Sequence, residues 1–184
     1  MAKSIQKYFI AIVPSGDIQA QASDIKERVK EVYGAKHALK SPAHVTLKMP
    51  FSWNGNKEDK LAGLLEGFFG SVEPFKMTVK GIGRFGKRIM YSRVDGGEEL
   101  LKMQFELKSF CRLQLKVVEE LSDKAYTPHI TLVYSDLKDR FFDECWAMLK
   151  EKGFYGEMKV DQVALLRKTD YRWHVVHYFP LVGK

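Results

Sequence analysis

The chain predicts an α+β fold of two lobes, built from duplicated β-α-β-α-β units around a central cleft. Three observations predict it. Strand-like and helix-like segments run through the same order twice, and the stretch "HVTL" (residues 44–47) returns as "HITL" (residues 129–132) at the third element of each run. No Pro-, Gly- or Ser-rich linker parts the halves. The expected organisation is one domain over residues 1–184, with lobes of approximately 1–86 and 87–184 that leave room for strand exchange.

The elements follow in order. "YFIAIV" (residues 8–13) is a β-prone run closed by Pro14 and reads as a buried strand. Ile18, Ala22, Ile25, Val29 and Val32 then fall at the spacing of one helical face. The alternating "HVTLKM" is the first motif strand. Leu61, Leu64, Leu65, Phe68 and Phe69 mark a helix that Gly70 ends, and "FKMTVKGI" alternates as a third strand. The second run opens with the strand "RIMYSRV", closed by "DGG", and a helix lined by Leu100, Met103, Leu107 and Phe110. "RLQLKVVEEL" fits either a helix extension or a strand. The second motif strand, "HITLVY", comes next, followed by a helix through Phe142, Cys145 and Leu149 that ends at Gly153. "MKVDQVALL" and "RWHVVHYFPL" read as the closing strands.

Bulk properties narrow the class. With 184 residues, 45% apolar and 29% charged, the chain can bury a sizeable core. The opening residues lack the long apolar stretch and cleavage pattern of a signal peptide, and no run is long enough to span a bilayer. The expectation is a soluble, cytoplasmic monomer with no membrane partner. Cys111 and Cys145 sit in helix-like segments without CxxC spacing and read as reduced core thiols. A net charge of +7, spread along the chain, suits phosphate-bearing partners and solubility alike. "GIGRFG" (residues 81–86) spells a dinucleotide fingerprint, but the β-like "KRIMYSRV" follows where that motif needs a helix. The glycines therefore read as a turn between strands, and no cofactor is expected.

The repeated motif carries the chemistry. Alternate side chains of a strand share a face, so His44 and Thr46 point one way while Val45 and Leu47 point into a core; His129 and Thr131 stand likewise opposite Ile130 and Leu132. If a pseudo-twofold axis relates the lobes, both His–Thr pairs face one cleft. Two imidazoles, one neutral and one protonated, serve as base and acid at a single phosphorus atom. The two hydroxyls donate to non-bridging phosphate oxygens, where charge builds in the transition state. Such a site needs no metal. A lone half-buried histidine is usually structural, but two copies after a proline at matching places in a repeated plan point to a paired site.

These paired motifs resemble the signature of the 2H phosphoesterase superfamily. "PAHVTLKMPF" and "YTPHITLVY" are most similar to its 2′-5′ RNA ligase and RNA 2′,3′-cyclic phosphodiesterase branch. The resemblance covers nearly the whole chain. It implies a bilobal α+β fold with a central cleft, His44 and His129 as catalytic residues, and Thr46 and Thr131 as phosphate ligands. It also implies metal-independent cleavage of 2′,3′-cyclic phosphates or 2′,5′ linkages, with ligation as the reverse. The expected partner is an RNA end or a small nucleotide. The rival readings are a related cyclic phosphodiesterase acting on a non-RNA substrate and a non-catalytic RNA- or nucleotide-binding module on the same fold.

Outside the motifs, Phe85 is placed to stack on a base or to pack on its own lobe. Lys48 alternates onto the face of His44 and Thr46 and is a candidate anion contact. Arg84 and Arg167, each within a basic cluster, are candidate contacts to flanking phosphates. His37, His174 and His177 read as structural or surface residues, the last two on opposite faces of one strand.

Overall fold

The computed structural model describes residues 4–183. Eight strands appear among them: β1 (Ile5–Ile12), β2 (Val45–Asn54), β3 (Phe75–Phe85), β4 (Ile89–Asp95), β5 (His129–Val133), β6 (Tyr155–Val160), β7 (Gln162–Thr169) and β8 (Arg172–Pro180). The helices are α1 (Gly16–Tyr33), α2 (Glu58–Gly70), α3 (Gly97–Phe110), the short α4 (Leu121–Lys124) and α5 (Phe142–Lys152). The strands form one antiparallel sheet in the order β6-β3-β4-β5-β2-β1-β7-β8. No helix among the described residues is long and apolar enough to cross a membrane.

The sheet is two four-stranded halves, β6-β3-β4-β5 and β2-β1-β7-β8. At the seam between them the paired residues are Val45 and Ile130 alone. Strands are exchanged across residue 86: β3 joins β4, while β7 and β8 return to β1. The run "MKVDQVALL", expected as one strand, is broken at Asp161. Val160 pairs with Phe75 on β3, whereas Gln162 pairs with Pro180 on β8. One residue thus carries the chain from one half-sheet to the other, which requires the sheet to curl.

Helices α1, α2, α3 and α5 cover the face opposite the cleft. On α1 the buried residues are Ile18, Ala22, Ile25, Lys26, Val29 and Tyr33; Val32, expected on that face, is exposed because the helical period brings Tyr33 inward instead. Gly34 ends α1 in the left-handed region at φ 75°, where it donates to the Lys30 carbonyl. The ambiguous "RLQLKVVEEL" continues α3 through a wider π turn at Cys111–Leu115, then opens into a loop that Glu120 caps at α4. The packing is crossed. Helix α1 contacts β5 and α3 contacts β2, so each first-in-unit helix sits on the other unit's motif strand. Val45, Leu47, Ile130 and Leu132 all lie in this shared core, as expected. The reverse face of β1 and β7 holds a separate small cluster of Phe9, Ala11, Ala164 and Leu166.

Both motif strands bulge at the same place. Thr46 pairs with Ala11 but Lys48 with Ile10, so Leu47 is the extra residue; Thr131 pairs with Tyr91 but Val133 with Met90, so Leu132 is its counterpart. The fourth letter of the doubled motif is thus the bulged leucine, buried in both copies. The bulge also reverses the alternation that follows it. Simple alternation puts Lys48 on the face of His44 and Thr46, but the structure turns it to the helix side, as Val133 is turned in the second copy. There it is 1% exposed, pairs with the Asp123 carboxylate and donates to the Val118 carbonyl at 3.0 Å. Asp123 in turn accepts from the backbone N–H groups of Met49 and Glu120 at 3.0 and 2.9 Å, so this ion pair ties the α4 segment to β2.

Removing one partner of a buried ion pair strands the other charge. Lys48→Met should therefore lower stability by about 3–5 kcal/mol, although an apolar side chain suits the equivalent position in the second copy. Urea unfolding of the variant against the parent checks this. A loss below about 1 kcal/mol would place the pair among weak, solvated ion pairs.

Candidate active site

The two motif histidines are held in the same way. His44 Nδ1 lies 2.8 Å from the Pro42 carbonyl, and His129 Nδ1 lies 2.7 Å from the Thr127 carbonyl. A carbonyl oxygen only accepts, so Nδ1 carries the proton in both rings and Nε2 is the free atom. The acceptor lies two residues upstream in each copy, the carbonyl of Pro42 itself in the first and that of Thr127, next to Pro128, in the second. Each ring is also braced by aromatics. His44 packs on Phe9 at 4.8 Å between centroids, and Phe9 meets Trp173 edge-on at 4.7 Å. His129 packs on Tyr91 and Phe85, both at 5.1 Å.

The seam brings the two copies together. With Val45 paired to Ile130 in antiparallel register, His44 stands beside Thr131 and Thr46 beside His129. Cross-strand neighbours are about 5 Å apart at Cβ and diagonal ones about 7–8 Å, so the two imidazoles bracket a space of phosphate size. Thr46 and His129 line one pocket of about 340 Å³ with Met49, Phe85, Tyr126 and the α4 segment. The Tyr134 hydroxyl is within hydrogen-bonding reach of Thr131.

Burial is the largest cause that lowers His44, down to about 4. The Pro42 carbonyl pulls the other way, and the charges of Lys26 and His129 add to the depression. Burial lowers His129 too, against the pull of the Thr127 carbonyl. In the free protein both rings are therefore neutral near pH 7, with a lone pair on each Nε2. A bound phosphate anion favours the charged form and restores a proton to the pair.

The other candidates divide. Phe85 stands against His129 and Tyr91 and is 40% exposed, with one edge left open to the pocket. Arg84, the next residue back on β3, faces away and lies over the rings of Phe142 and Trp146 on α5. Arg167 also faces away, pairing at 2.8 Å with Glu58 at the start of α2, where Tyr8 donates to the same carboxylate. Lys48 is spent on Asp123. His177 lies 3.5 Å from Glu58. Strict alternation sets His174 and His177 on opposite faces, but a register shift between Leu165 and Leu166 puts one extra β8 residue between them and brings both to the face of Tyr8.

Strand pairing supplies residues that motif reading missed. Arg93 is the cross-strand partner of His129 and is exposed, and Tyr91 is the partner of Thr131. Lys168 lies over the Trp173 ring, on the same face as Phe9. The alternation of "RIMYSRV" already set Tyr91 and Arg93 on one face, but only the register of β4 against β5 shows that this face is the cleft. Gly83 serves the same site, since a Cβ there would lie 2.5 Å from the Tyr91 ring. Of the glycines of "GIGRFG", Gly86 makes the turn, with φ 57°, while Gly81 sits where the β3–β4 register shifts. Among the described residues no group of three or more His, Cys, Asp and Glu is placed to hold a metal ion.

The electrostatics give a titration test. In the free protein, NMR of the imidazoles should show His44 titrating well below the ordinary 6.5, towards about 4. Because its folded value lies below its unfolded one, its contribution to stability is full above about 6.5 and is lost as the pH falls towards 4. Both midpoints should rise when a phosphate ligand is added. A His44 midpoint at or above 6.5 in the free protein would contradict the desolvated, neutral assignment.

Comparison with known proteins agrees with this architecture. The profile of the 2′-5′ RNA ligase superfamily matches residues 14–172. A protein of Bacillus cereus (strain G9842) named for phosphoesterase activity is 28% identical over 180 residues, covering 97% of this chain and 98% of its own. A Bacillus mycoides (strain KBAB4) protein of the same name is 27% identical with the same coverage. Among solved structures, TT0787 of Thermus thermophilus shares the fold with a TM-score of 0.68 at 17% identity, covering 97% of this chain and 99% of that one. LigT of E. coli, in complex with 3′-AMP, shares it with a TM-score of 0.65 at 16% identity and the same coverage. The chain belongs to the 2′-5′ RNA ligase superfamily of 2H phosphoesterases.

Proposed function

We propose that the protein is a phosphodiesterase that hydrolyses 2′,3′-cyclic phosphates or 2′,5′ linkages of RNA ends or nucleotides without a metal. The observation that carries this reading is the matched locking of His44 and His129, each with Nδ1 on a carbonyl and Nε2 free at one seam. A base and an acid on opposite sides of one phosphorus are what an in-line displacement uses. The phosphoesterase names of the Bacillus relatives support the same class of reaction.

The roles follow from the environments. His44, half-buried and lowered chiefly by desolvation to about 4, is the ring kept most firmly neutral, so it takes the proton from the attacking water. His129, whose Thr127 carbonyl favours the charged ring, regains a proton when the phosphate binds and protonates the departing ribose oxygen. Thr46 and Thr131 donate to the non-bridging oxygens. Run backwards, the same pair activates a ribose hydroxyl and ligates. Phe85 is the stacking partner for the base next to the scissile phosphate.

Nucleoside 2′,3′-cyclic phosphates and a 2′,5′-linked dinucleotide, incubated with the protein in EDTA, should be hydrolysed with rates unchanged by chelation. His44→Ala and His129→Ala should each lower the rate by about 10²–10⁴ without loss of fold. A nitrophenyl phosphodiester, whose leaving group needs no proton, should largely rescue His129→Ala but not His44→Ala. Turnover that survives both substitutions would overturn the reading, as would a metal requirement.

A further inference from the structure

A second concavity lies behind His44, and the chemistry above does not use it. Lys26 sits on the buried face of α1, 4% exposed, and its ammonium donates to the Ser41 carbonyl at 3.2 Å. No carboxylate pairs with it among the described residues, and burial alone brings it down to about 8. An unmatched buried charge is costly, and an apolar side chain would serve the core better. The cavity it lines measures about 270 Å³. Lys40, Arg172 and His174 also line it, with Ser23 and Ser41, and no carboxylate does.

The adjoining groove sharpens the contrast. It shares Lys40 and Arg172 and adds Lys30 and Lys36, but also Glu27 and Asp170, and Lys30 is paired with Glu27 at 2.8 Å. Carboxylates offset half of the positive charge there and none of it around Lys26. The wall that carries Lys40 is also fixed in place. Asp136 accepts from the backbone N–H groups of Lys36 and His37 at 2.7 and 2.8 Å, which clamps the turn His37–Lys40 to the second motif's half.

This cavity is joined to the active site through consecutive residues. The Ser41 carbonyl holds Lys26, and the next carbonyl, that of Pro42, holds His44. Three Cα-to-Cα steps lead from Ser41 to His44, a span of at most about 11 Å. Trp173 lines the cavity and packs on Phe9, which packs on His44. We propose that the cavity is a second phosphate subsite, which holds a phosphate group carried by the same substrate next to the nucleotide being cleaved. Lys26 and Arg172 are its cations. The inference rests on the reading of the cleft as a phosphodiesterase site. The second phosphate is either a 5′-phosphate on one nucleotide or the neighbouring phosphodiester of a strand.

Calorimetry with product-like ligands tests it without turnover. Adenosine 3′,5′-bisphosphate and a dinucleotide with a terminal 3′-phosphate are compared with adenosine 3′-monophosphate. A second phosphate should tighten binding by about tenfold, the value of one charge-assisted hydrogen bond. Gain with the bisphosphate identifies a 5′-phosphate as sufficient, and gain with the dinucleotide alone identifies the strand. Arg172→Ala and Lys26→Met should each remove the gain, and Arg172→Ala should leave the monophosphate affinity unchanged. Arg172 is exposed, so its variant keeps the test open should Lys26→Met fail to fold. Equal affinity for all three ligands, or a gain that survives Arg172→Ala, would overturn the subsite. Absence of hydrolysis of every cyclic phosphate, with the binding gain intact, would instead overturn the reading of the cleft.

Discussion

The site depends on one backbone contact, the pairing of Val45 with Ile130 where the two half-sheets meet. That pair sets the register that puts His44 beside Thr131 and Thr46 beside His129. A slip of one residue would turn an imidazole into the core and a leucine into the cleft. One residue pair is too little to hold two half-sheets, and the helix side supplies the rest. Helix α1 packs on β5 and α3 on β2, and Val45, Leu47, Ile130 and Leu132 fill the core between them. The hydrophobic face of the motif strands therefore positions their polar face.

Much of this is legible in the sequence because it rests on local periodicity. The repeated element order, the buried faces of the helices and the inward Val, Leu and Ile of the motifs all follow from patterns of period 3.6 or 2. The two His–Thr pairs are legible because they occur twice. Register is not legible in the same way. A bulge leaves no local mark, so Lys48 reads as sharing the face of His44, and only its pairing with Ile10 shows it turned inward to Asp123. Arg84 and Arg167 stand out by charge, yet one lies over the rings of α5 and the other pairs with Glu58 across long sequence separations. Arg93 and Tyr91 escape a motif reading because their importance comes from standing across from His129 and Thr131.

The duplicated halves are alike in geometry and unlike in charge. Both copies lock Nδ1 on an upstream carbonyl, bulge at the leucine and bury the residue after it. The first copy places Lys48 where the second has Val133, and it has the buried Lys26 behind its histidine. The second copy has an exposed arginine beside its histidine and an open aromatic, Phe85, against it. A symmetric scaffold with unequal desolvation gives the two imidazoles different protonation tendencies, which suits the base and acid proposed for them.

The central claim is that His44 and His129 act as one unit on one phosphorus, and the double-substituted His44→Ala/His129→Ala protein tests it most directly. The rate of cyclic phosphate hydrolysis is measured for the parent, both single variants and the double. The account predicts that the double variant falls little below the worse single, because once one member of a coupled pair is gone the other has no step left to assist. Losses that multiply would show two histidines working independently and would contradict it.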